Sequence, residues 1–291
     1  MLSQPHDFSD DDLITALSRH WAVKARSVTY RAVGFGSHHW EVDSRWFATV
    51  DESPDFDRLH AALRSSTEVS VAIAPIPTDT GDLLARSGRF AVTLYPLVVG
   101  ESFDFGDYRD DAHRHAVLDM VVEVHRTPST HAATDDFALP DIPPIGDEGP
   151  YSRPAAELLA RHASAIERCQ ANYLDLVSRV DRTRMVLTHG EPHPGNTMLT
   201  PDGWRLIDWD TALVALPERD LWHLETDNVL AAYEEATGVR PEPEMLDLYR
   251  VRWDLKDLSE EAHRFSRPHT GTPDDDEGWE ILCDIVSRLK H

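Results

Sequence analysis

The segment between His189 and Asp210 constrains the fold of this chain more than any other stretch. It reads HGEPHPGN at its start and IDWD at its end. The glycines and prolines exclude a regular helix or central strand through the first part, which predicts a polar loop after a short apolar strand at residues 185–187. A second short strand at residues 205–207 leads to Asp208, and Asp210 is expected on the same face because side chains alternate along a strand.

The polar groups of this loop and strand have the composition of a phosphoryl-transfer site. Glu191 offers a carboxylate base, Asn196 an amide oxygen and Asp208 a second carboxylate. In phosphoryl transfer the protein mainly positions Mg²⁺ and orients the attacking hydroxyl, and Mg²⁺ prefers oxygen ligands. The segment therefore predicts a site for metal-assisted phosphoryl transfer.

The same residues resemble the motifs of a known family. HGEPHPGNTML, followed by WRLIDWD, resembles the catalytic loop and metal-binding strand of the aminoglycoside phosphotransferase and choline-kinase-like family. The pattern there is H-G-D-x-H-x-x-N, followed by I-D, an aromatic residue and an acid. PERDL at residues 217–221 also fits the family. The resemblance implies a kinase that uses ATP or GTP to phosphorylate a hydroxyl of a small, often cationic molecule.

The resemblance also implies a role for each polar group of the segment. Asn196 and Asp208 would hold Mg²⁺. Glu191 would stand where the family has its catalytic Asp, and would accept the proton of the acceptor hydroxyl. His189 would brace the loop, and Asp220 would be structural.

The order of patterns along the chain indicates an α+β fold with two lobes. Alternation over residues 28–50 and an apolar run over 90–99 are typical of strands, whereas amphipathic segments dominate after Gly100. The resemblance makes this a protein-kinase-like fold. Residues 1–99 would form a small, β-rich nucleotide-binding lobe, and residues 100–291 a larger, mostly helical lobe that carries catalysis and acceptor binding.

Three parts of the first lobe are expected to bind the nucleotide. Backbone N–H groups of a glycine-rich turn would cover the phosphates, although such a turn is also an ordinary hairpin connection. One residue of the third strand occupies the position of the family's phosphate-pairing lysine, and backbone groups of the hinge would pair with the base. The predicted nucleotide-binding residues are Gly34, Gly36, Ser37, Thr49, Pro96 and Val98.

Two departures from the family pattern bear on activity. Glu191 replaces the expected Asp and adds one methylene, and a misplacement of about 1 Å costs roughly 100-fold in rate. Thr49 stands at the lysine position and cannot neutralise phosphate charge. The residues that would replace the lysine, among which the sequence does not choose, are Arg31, Arg45, His38 and His39. A catalytically degenerate, nucleotide-binding kinase fold is therefore an alternative.

The charge of the chain bears on its ligands. The 28 basic and 52 acidic residues give a net charge of −24, which repels nucleic acid and anionic membranes and favours a cationic acceptor. The predicted acceptor-binding residues are Asp210, Trp253, Asp254 and Asp257. The start of the chain lacks the pattern of a secretory signal, and no apolar run is long enough to span a bilayer. A cytoplasmic monomer or homodimer is therefore expected.

One other class of function fits part of the sequence. His189, Glu191 and His193 would share one face of a strand and could bind Zn or Fe, although Pro192 and Pro194 argue against that strand. Among kinases, antibiotic phosphorylation is the leading inference from the family, followed by phosphorylation of a metabolic sugar or amino alcohol.

Overall fold

The computed structural model of this chain describes residues 1–34 and 36–289. Phe35, in the glycine-rich turn of the predicted nucleotide site, lies outside the described residues, as do the last two positions. Within the described part, no helix combines the length and the apolar character needed to cross a membrane.

The chain forms two compact units that each draw on two stretches of sequence. The first unit contains Met1–Asp135 and Arg182–Pro241, and the second contains Asp136–Asp181 and the segment that begins at Glu242. The predicted boundary near residue 100 divides the chain by function, into a nucleotide-binding lobe and a catalytic lobe, and does not coincide with the bounds of the compact units. This functional division stays a prediction.

Strands come first in the chain and helices dominate later, as the sequence predicts. The helices are α1 (Asp10–His20), α2 (Phe56–Ser66), α3 (Asp111–Arg126), α4 (Ser152–Val177), α5 (Glu218–Leu221), α6 (Asp227–Thr237), α7 (Pro243–Phe265) and α8 (Pro273–Arg288). The strands are β1 (Val28–Arg31), β2 (His38–Val42), β3 (Trp46–Glu52), β4 (Ala85–Ser87), β5 (Phe90–Pro96), β6 (Glu101–Ser102), β7 (Val186–Thr188), β8 (Thr197–Thr200), β9 (Gly203–Leu206) and β10 (Leu213–Ala215).

The first unit is built on a five-stranded antiparallel sheet with the order β1-β2-β3-β5-β4. On one face, Trp40 and Val50 pack in a core with Leu13 of α1. Helix α1 starts with a capping box, in which Ser9 and Asp12 each accept a hydrogen bond from the other's backbone N–H. The sheet therefore has one face sealed by apolar side chains.

On the other face, Leu59 and Leu63 of α2 pack against Ala91, and Tyr95 is packed at the edge of this cluster. The sequence predicts a helix over residues 56–72, and that prediction is wrong at its end. Helix α2 stops at Ser66 because hydroxyl groups of the last turn bond back to main-chain carbonyls and compete with the helical pattern, as Ser66 does to the oxygen of Leu63 at 2.7 Å.

The second unit is helical and consists mainly of α4, α7 and α8. Its core includes Leu258 and Phe265 from α7 and Leu282 from α8. The acidic run at the start of α8 is capped rather than simply solvated, since the Thr272 hydroxyl accepts from the backbone N–H of Asp275, which is itself buried.

Candidate active site

The polar loop begins where β7 ends, and a buried histidine braces it. The backbone N–H of Glu191 donates to Nδ1 of His189 at 3.2 Å, so the proton lies on Nε2, which donates to the carbonyl of Ile207 at 2.9 Å. Burial lowers the pKa of His189, which keeps the ring neutral. Both ring nitrogens are thus engaged with the backbone, as a bracing role requires.

Asp220, in α5, anchors the same loop. Its carboxylate accepts from the backbone N–H of His189 at 2.9 Å and of Gly190 at 2.6 Å, and it lies 3.0 Å from Nε2 of His125. Burial by itself raises the pKa of Asp220, but the hydrogen bond and attraction of His125 outweigh it and lower the pKa to about 2. The carboxylate is therefore ionised and holds the start of the loop in place.

The glycine at 190 is required by both backbone and packing. Its φ is +105°, a region that L residues rarely adopt, and a Cβ there would overlap the guanidinium of Arg219. That guanidinium donates to the Thr188 hydroxyl at 2.9 Å and to the carbonyl of Thr211 at 2.8 Å. Arg219 therefore ties the two ends of the segment together, which only a glycine at 190 permits.

Asn196 and Asp208 are brought together by the hairpin of β8 and β9. Its pairing extends beyond the strands through the N–H of Ile207, which donates to the carbonyl of Asn196 at 3.0 Å. The side-chain amide of Asn196 donates to the carbonyl of Glu191 at 3.0 Å and lies 3.2 Å from Nε2 of His193. These contacts use the amide nitrogen and leave the oxygen Oδ1 as the atom able to bind a cation.

The predicted strand does not reach Asp208. Strand β9 ends at Leu206, and Asp208 has a φ of +64°, an unusual conformation for a residue other than glycine. Asp208 and Asp210 still lie together, because their side chains share a hydrogen bond. The expected neighbourhood is therefore observed, although it arises from a turn rather than from strand alternation.

Carboxylates crowd around Asp208. Burial by the surrounding protein, and then the charges of Asp210, Glu191 and Asp51, raise the pKa of Asp208 well above its ordinary value. Since Asp208 is open to solvent, crowding by like charges accounts for this direction better than burial does. Burial and Asp210 likewise raise the pKa of Asp51 to about 7. A divalent cation bound at Asp208 would relieve this repulsion, and Mg²⁺ prefers carboxylate and amide oxygens.

The predicted nucleotide residues divide between the glycine-rich turn, β3 and the hinge. Gly34 and Gly36 have positive φ values of 67° and 101°. The Ser37 hydroxyl donates to Oδ1 of Asp51 at 2.5 Å. Thr49 lies in β3 opposite His39, with Oγ1 of the threonine 3.4 Å from Nδ1 of the histidine.

The predicted hinge spans residues 95–100. Pro96 is the last residue of β5 and pairs with Trp46, and Val98 lies two positions further along the chain. Val98 lines an open cavity of about 320 Å³, together with Ile73 and Thr200. Nucleotide binding at the turn, β3 and hinge stays a prediction.

Three of the predicted acceptor residues lie on α7, in the second unit. Oδ1 of Asp254 accepts a hydrogen bond from Arg288 at 2.6 Å, and the ammonium of Lys256 lies 5.8 Å from the ring of Trp253. Asp257 lies on the same helix, one turn after Asp254. Basic residues of the unit thus offset part of the acidic face, and a role in acceptor binding stays a prediction.

Tyr108 is a buried residue of the site that sequence reasoning missed. Its hydroxyl donates to the carbonyl of Pro192 at 2.7 Å, next to Glu191 in the loop. Its ring packs edge-on against His113 at 5.2 Å, and Nε2 of His113 is 2.9 Å from Oγ1 of Thr197. Tyr108 therefore supports the loop from a distant part of the chain that no motif marks.

The alternative of a Zn or Fe site has no support in the geometry. Both nitrogens of His189 are hydrogen-bonded to the backbone, so the ring has no lone pair for a metal. Across residues 1–34 and 36–289, no group of three or more His, Cys, Asp or Glu side chains is arranged to hold a metal ion.

The braced loop, the neighbouring Asn196 and Asp208 and the five-stranded antiparallel sheet form the arrangement expected of a phosphotransferase of the protein-kinase-like class. The model of the phosphotransferase enzyme family, APH, matches residues 28–256, and the chain belongs to this family. It is 30% identical over 250 residues to Protein StrN of Streptomyces griseus, covering 76% of this chain and 73% of that protein.

Two solved structures show the same fold. Spectinomycin phosphotransferase APH(9)-Ia, in complex with ADP and spectinomycin, is 15% identical, with a TM-score of 0.71 and 98% of each chain covered. The GDP and kanamycin complex of APH(2″)-IIIa is also 15% identical, with a TM-score of 0.56 and coverage of 95% of this chain and 98% of that chain. The predicted family, the α+β protein-kinase-like fold and the assignment as a phosphotransferase of the kinase type are confirmed.

Proposed function

We propose that this kinase transfers the γ-phosphate of ATP or GTP to a hydroxyl of a small cationic acceptor, with Mg²⁺ held by Asn196 and Asp208. The convergence of three groups carries the proposal. The side-chain amide of Asn196 donates a hydrogen bond to the backbone carbonyl of Glu191. The carboxylate of Asp208 is close enough to those of Glu191 and Asp210 for their charges to raise its pKa. Mg²⁺ bound at these oxygens would offset phosphate charge and help to orient the phosphates.

Glu191 is the proposed base that accepts the proton of the acceptor hydroxyl. Its backbone N–H is bonded to His189 and its carbonyl to Asn196, so the main chain is fixed on both sides of the side chain. A base oxygen must reach within about 3 Å of the hydroxyl oxygen whose proton it takes. The fixed backbone sets the position from which the Glu191 side chain extends, which supports Glu191 as a working substitute for the family's Asp.

A cationic antibiotic is the proposed acceptor. The net charge of −24 attracts cations, and Asp210 lies beside the proposed metal ligand Asp208. The two enzymes of similar fold were solved with spectinomycin and with kanamycin, both of which carry amino groups and hydroxyls. A metabolic sugar or amino alcohol is the next candidate.

Turnover of ATP and GTP, coupled to detection of the diphosphate, tests the proposal with spectinomycin, kanamycin and choline as acceptors. Wild type is expected to phosphorylate at least one amino-bearing acceptor, and Asp208→Ala and Glu191→Ala to lose that activity. Asp119→Ala is the matched control, because Asp119 is an exposed carboxylate on α3. Nucleotide binding without a phosphorylated product from a broad panel would instead support the catalytically degenerate alternative, which Thr49 motivates.

The metal assignment has a separate test. Asn196→Ala and Asp208→Ala are each expected to weaken Mg²⁺-dependent nucleotide binding in calorimetric titrations, whereas Asp119→Ala leaves it unchanged. Unchanged affinity in both site variants would refute Asn196 and Asp208 as the metal ligands.

A further inference from the structure

Thr49 provides no positive charge where the family places a lysine, so another residue on this face of the sheet has to contact the phosphates. Directly opposed residues of antiparallel strands project to the same face. Thr49 is opposed by His39 in β2 and by Thr93 in β5. Of these cross-strand neighbours, only His39 can acquire a positive charge.

We propose that His39 takes the place of the missing lysine and, as an imidazolium, contacts a phosphate of the bound nucleotide. This inference rests on the proposed function. It predicts that nucleotide binding is coupled to uptake of a proton, which a lysine clamp would not show because a lysine is already charged at neutral pH.

The position and orientation of the His39 ring support this role. Its Nδ1 lies 3.4 Å from Oγ1 of Thr49, and the ring stacks on Phe47 at 5.1 Å with an interplanar angle of 26°. A Cβ added to Gly34 would lie 3.5 Å from Nε2 of His39. One nitrogen therefore faces the lysine position, and the other faces the turn expected to cover the phosphates.

The other candidate cations are less well placed. His38 faces the opposite side of β2 and lies 3.1 Å from the hydroxyl of Tyr30. The guanidinium of Arg45 lies over the Trp46 ring at 4.6 Å. Neither group is directed to the position of Thr49.

Arg31 is the remaining competitor, since it opposes His39 in β1 and shares its face. It lies in the edge strand, one strand further from Thr49 than His39. Its guanidinium is 3.8 Å from the carboxylate of Glu41, and 53% of the Arg31 side chain is exposed. Arg31 therefore serves as a comparison in the test, because a guanidinium cannot take up a proton at neutral pH.

The ionisation of His39 follows from the groups around it. Burial, then the N-terminal ammonium and His38, lower the pKa of His39 to about 3, so the free protein holds a neutral ring. Arg31 and Glu41 face it on the sheet, and Asp51 approaches the turn through Ser37. A phosphate anion beside the ring favours the charged form and raises its pKa, so binding strengthens as the pH falls below the value reached in the complex.

Calorimetric titration of the full chain with MgADP at pH 6.5, in two buffers of different ionisation enthalpy, measures affinity and proton uptake together. Wild type is expected to take up a fraction of a proton that His39→Gln does not, and His39→Gln to bind roughly 10-fold more weakly. His39→Lys should retain affinity without the proton uptake. His115→Gln, which changes an exposed histidine of α3, should match wild type.

Unchanged affinity and proton uptake in folded His39→Gln would overturn the inference, as would a loss of affinity confined to Arg31→Gln. Failure of His39→Lys to restore binding lost in His39→Gln would also overturn it. These outcomes leave the proposed function standing, because MgADP still binds wild type. Absence of MgADP binding to wild type would refute both the proposed function and the role of His39.

Discussion

Asp220→Asn tests whether a buried carboxylate holds the polar loop that begins at His189. The wild-type side chain accepts hydrogen bonds from the N–H groups of His189 and Gly190 and contacts His125. An asparagine of nearly the same shape has one oxygen to offer and presents an NH₂ group to donors that need an acceptor. The substitution therefore removes charge and creates a donor–donor conflict without leaving a cavity.

The expected cost has two parts. The pKa of Asp220 falls from 3.8 to about 2, which corresponds to about 2 kcal/mol of stabilisation at neutral pH. A buried donor left without an acceptor adds about 1–3 kcal/mol. We expect Asp220→Asn to lower the free energy of unfolding by about 3–5 kcal/mol at pH 7.

The pH dependence has a defined sign. Because the pKa is lowered in the folded protein, this stabilisation is complete above the ordinary value of 3.8 and is lost as the pH falls through about 2. The difference between wild type and Asp220→Asn should therefore shrink by about 1 kcal/mol between pH 7 and pH 3.

Urea denaturation followed by tryptophan fluorescence measures both quantities, with a check that the slope with urea is unchanged. The control is Asp202→Asn at an exposed position, with an expected effect within about 0.5 kcal/mol. A cost below about 1 kcal/mol at pH 7, or an equal cost at pH 3 and pH 7, would refute the proposed anchoring.

Three further changes probe the loop. Gly190→Ala should lower kcat by at least about 100-fold, because the new Cβ forces the loop to shift, and wild-type kinetics would contradict this. Tyr108→Phe should lower kcat several-fold with little change in nucleotide affinity, because it frees the carbonyl of Pro192; a change in nucleotide affinity alone would argue against loop positioning. Glu191→Asp should retain phosphotransferase activity, and a variant as inactive as Glu191→Ala would show that the loop requires the longer side chain.

Local signals allowed much of the fold to be predicted. The amphipathic patterns predict helices over residues 111–126 and 243–265, and α3 and α7 have these bounds. Asp110 caps the start of α3 and Pro243 is the first residue of α7. The end of α2 could not be predicted in this way, because apolar spacing continues past Ser66 while hydroxyl groups end the helix. Hydrophobic periodicity thus locates an element more reliably than its last turn.

The candidate site was predictable where its residues are contiguous in sequence and not where they converge from afar. Glu191, Asn196 and Asp208 belong to one motif, which requires only a loop and a hairpin. Asp51 comes to the site from strand β3, and Tyr108 from the loop that precedes α3. Neither residue is near the motif in the sequence, so no local pattern of spacing predicts that it approaches the motif. Asp51 had one available clue, since it lies two residues after the lysine position and therefore on the same face of β3.

The charge balance of the site connects the two departures from the family pattern. Burial, and then the carboxylates of Asp210, Glu191 and Asp51, raise the pKa of Asp208, while Thr49 supplies no cation to offset those carboxylates. A triphosphate would add negative charge to this group, and like charges at close range oppose binding. Under the proposed function, the missing positive charge would arrive with the ligands, as a divalent ion on the phosphates, a proton on His39 and amino groups on the acceptor. Such a site would link phosphate binding to metal and to pH, whereas a lysine would supply part of that charge permanently.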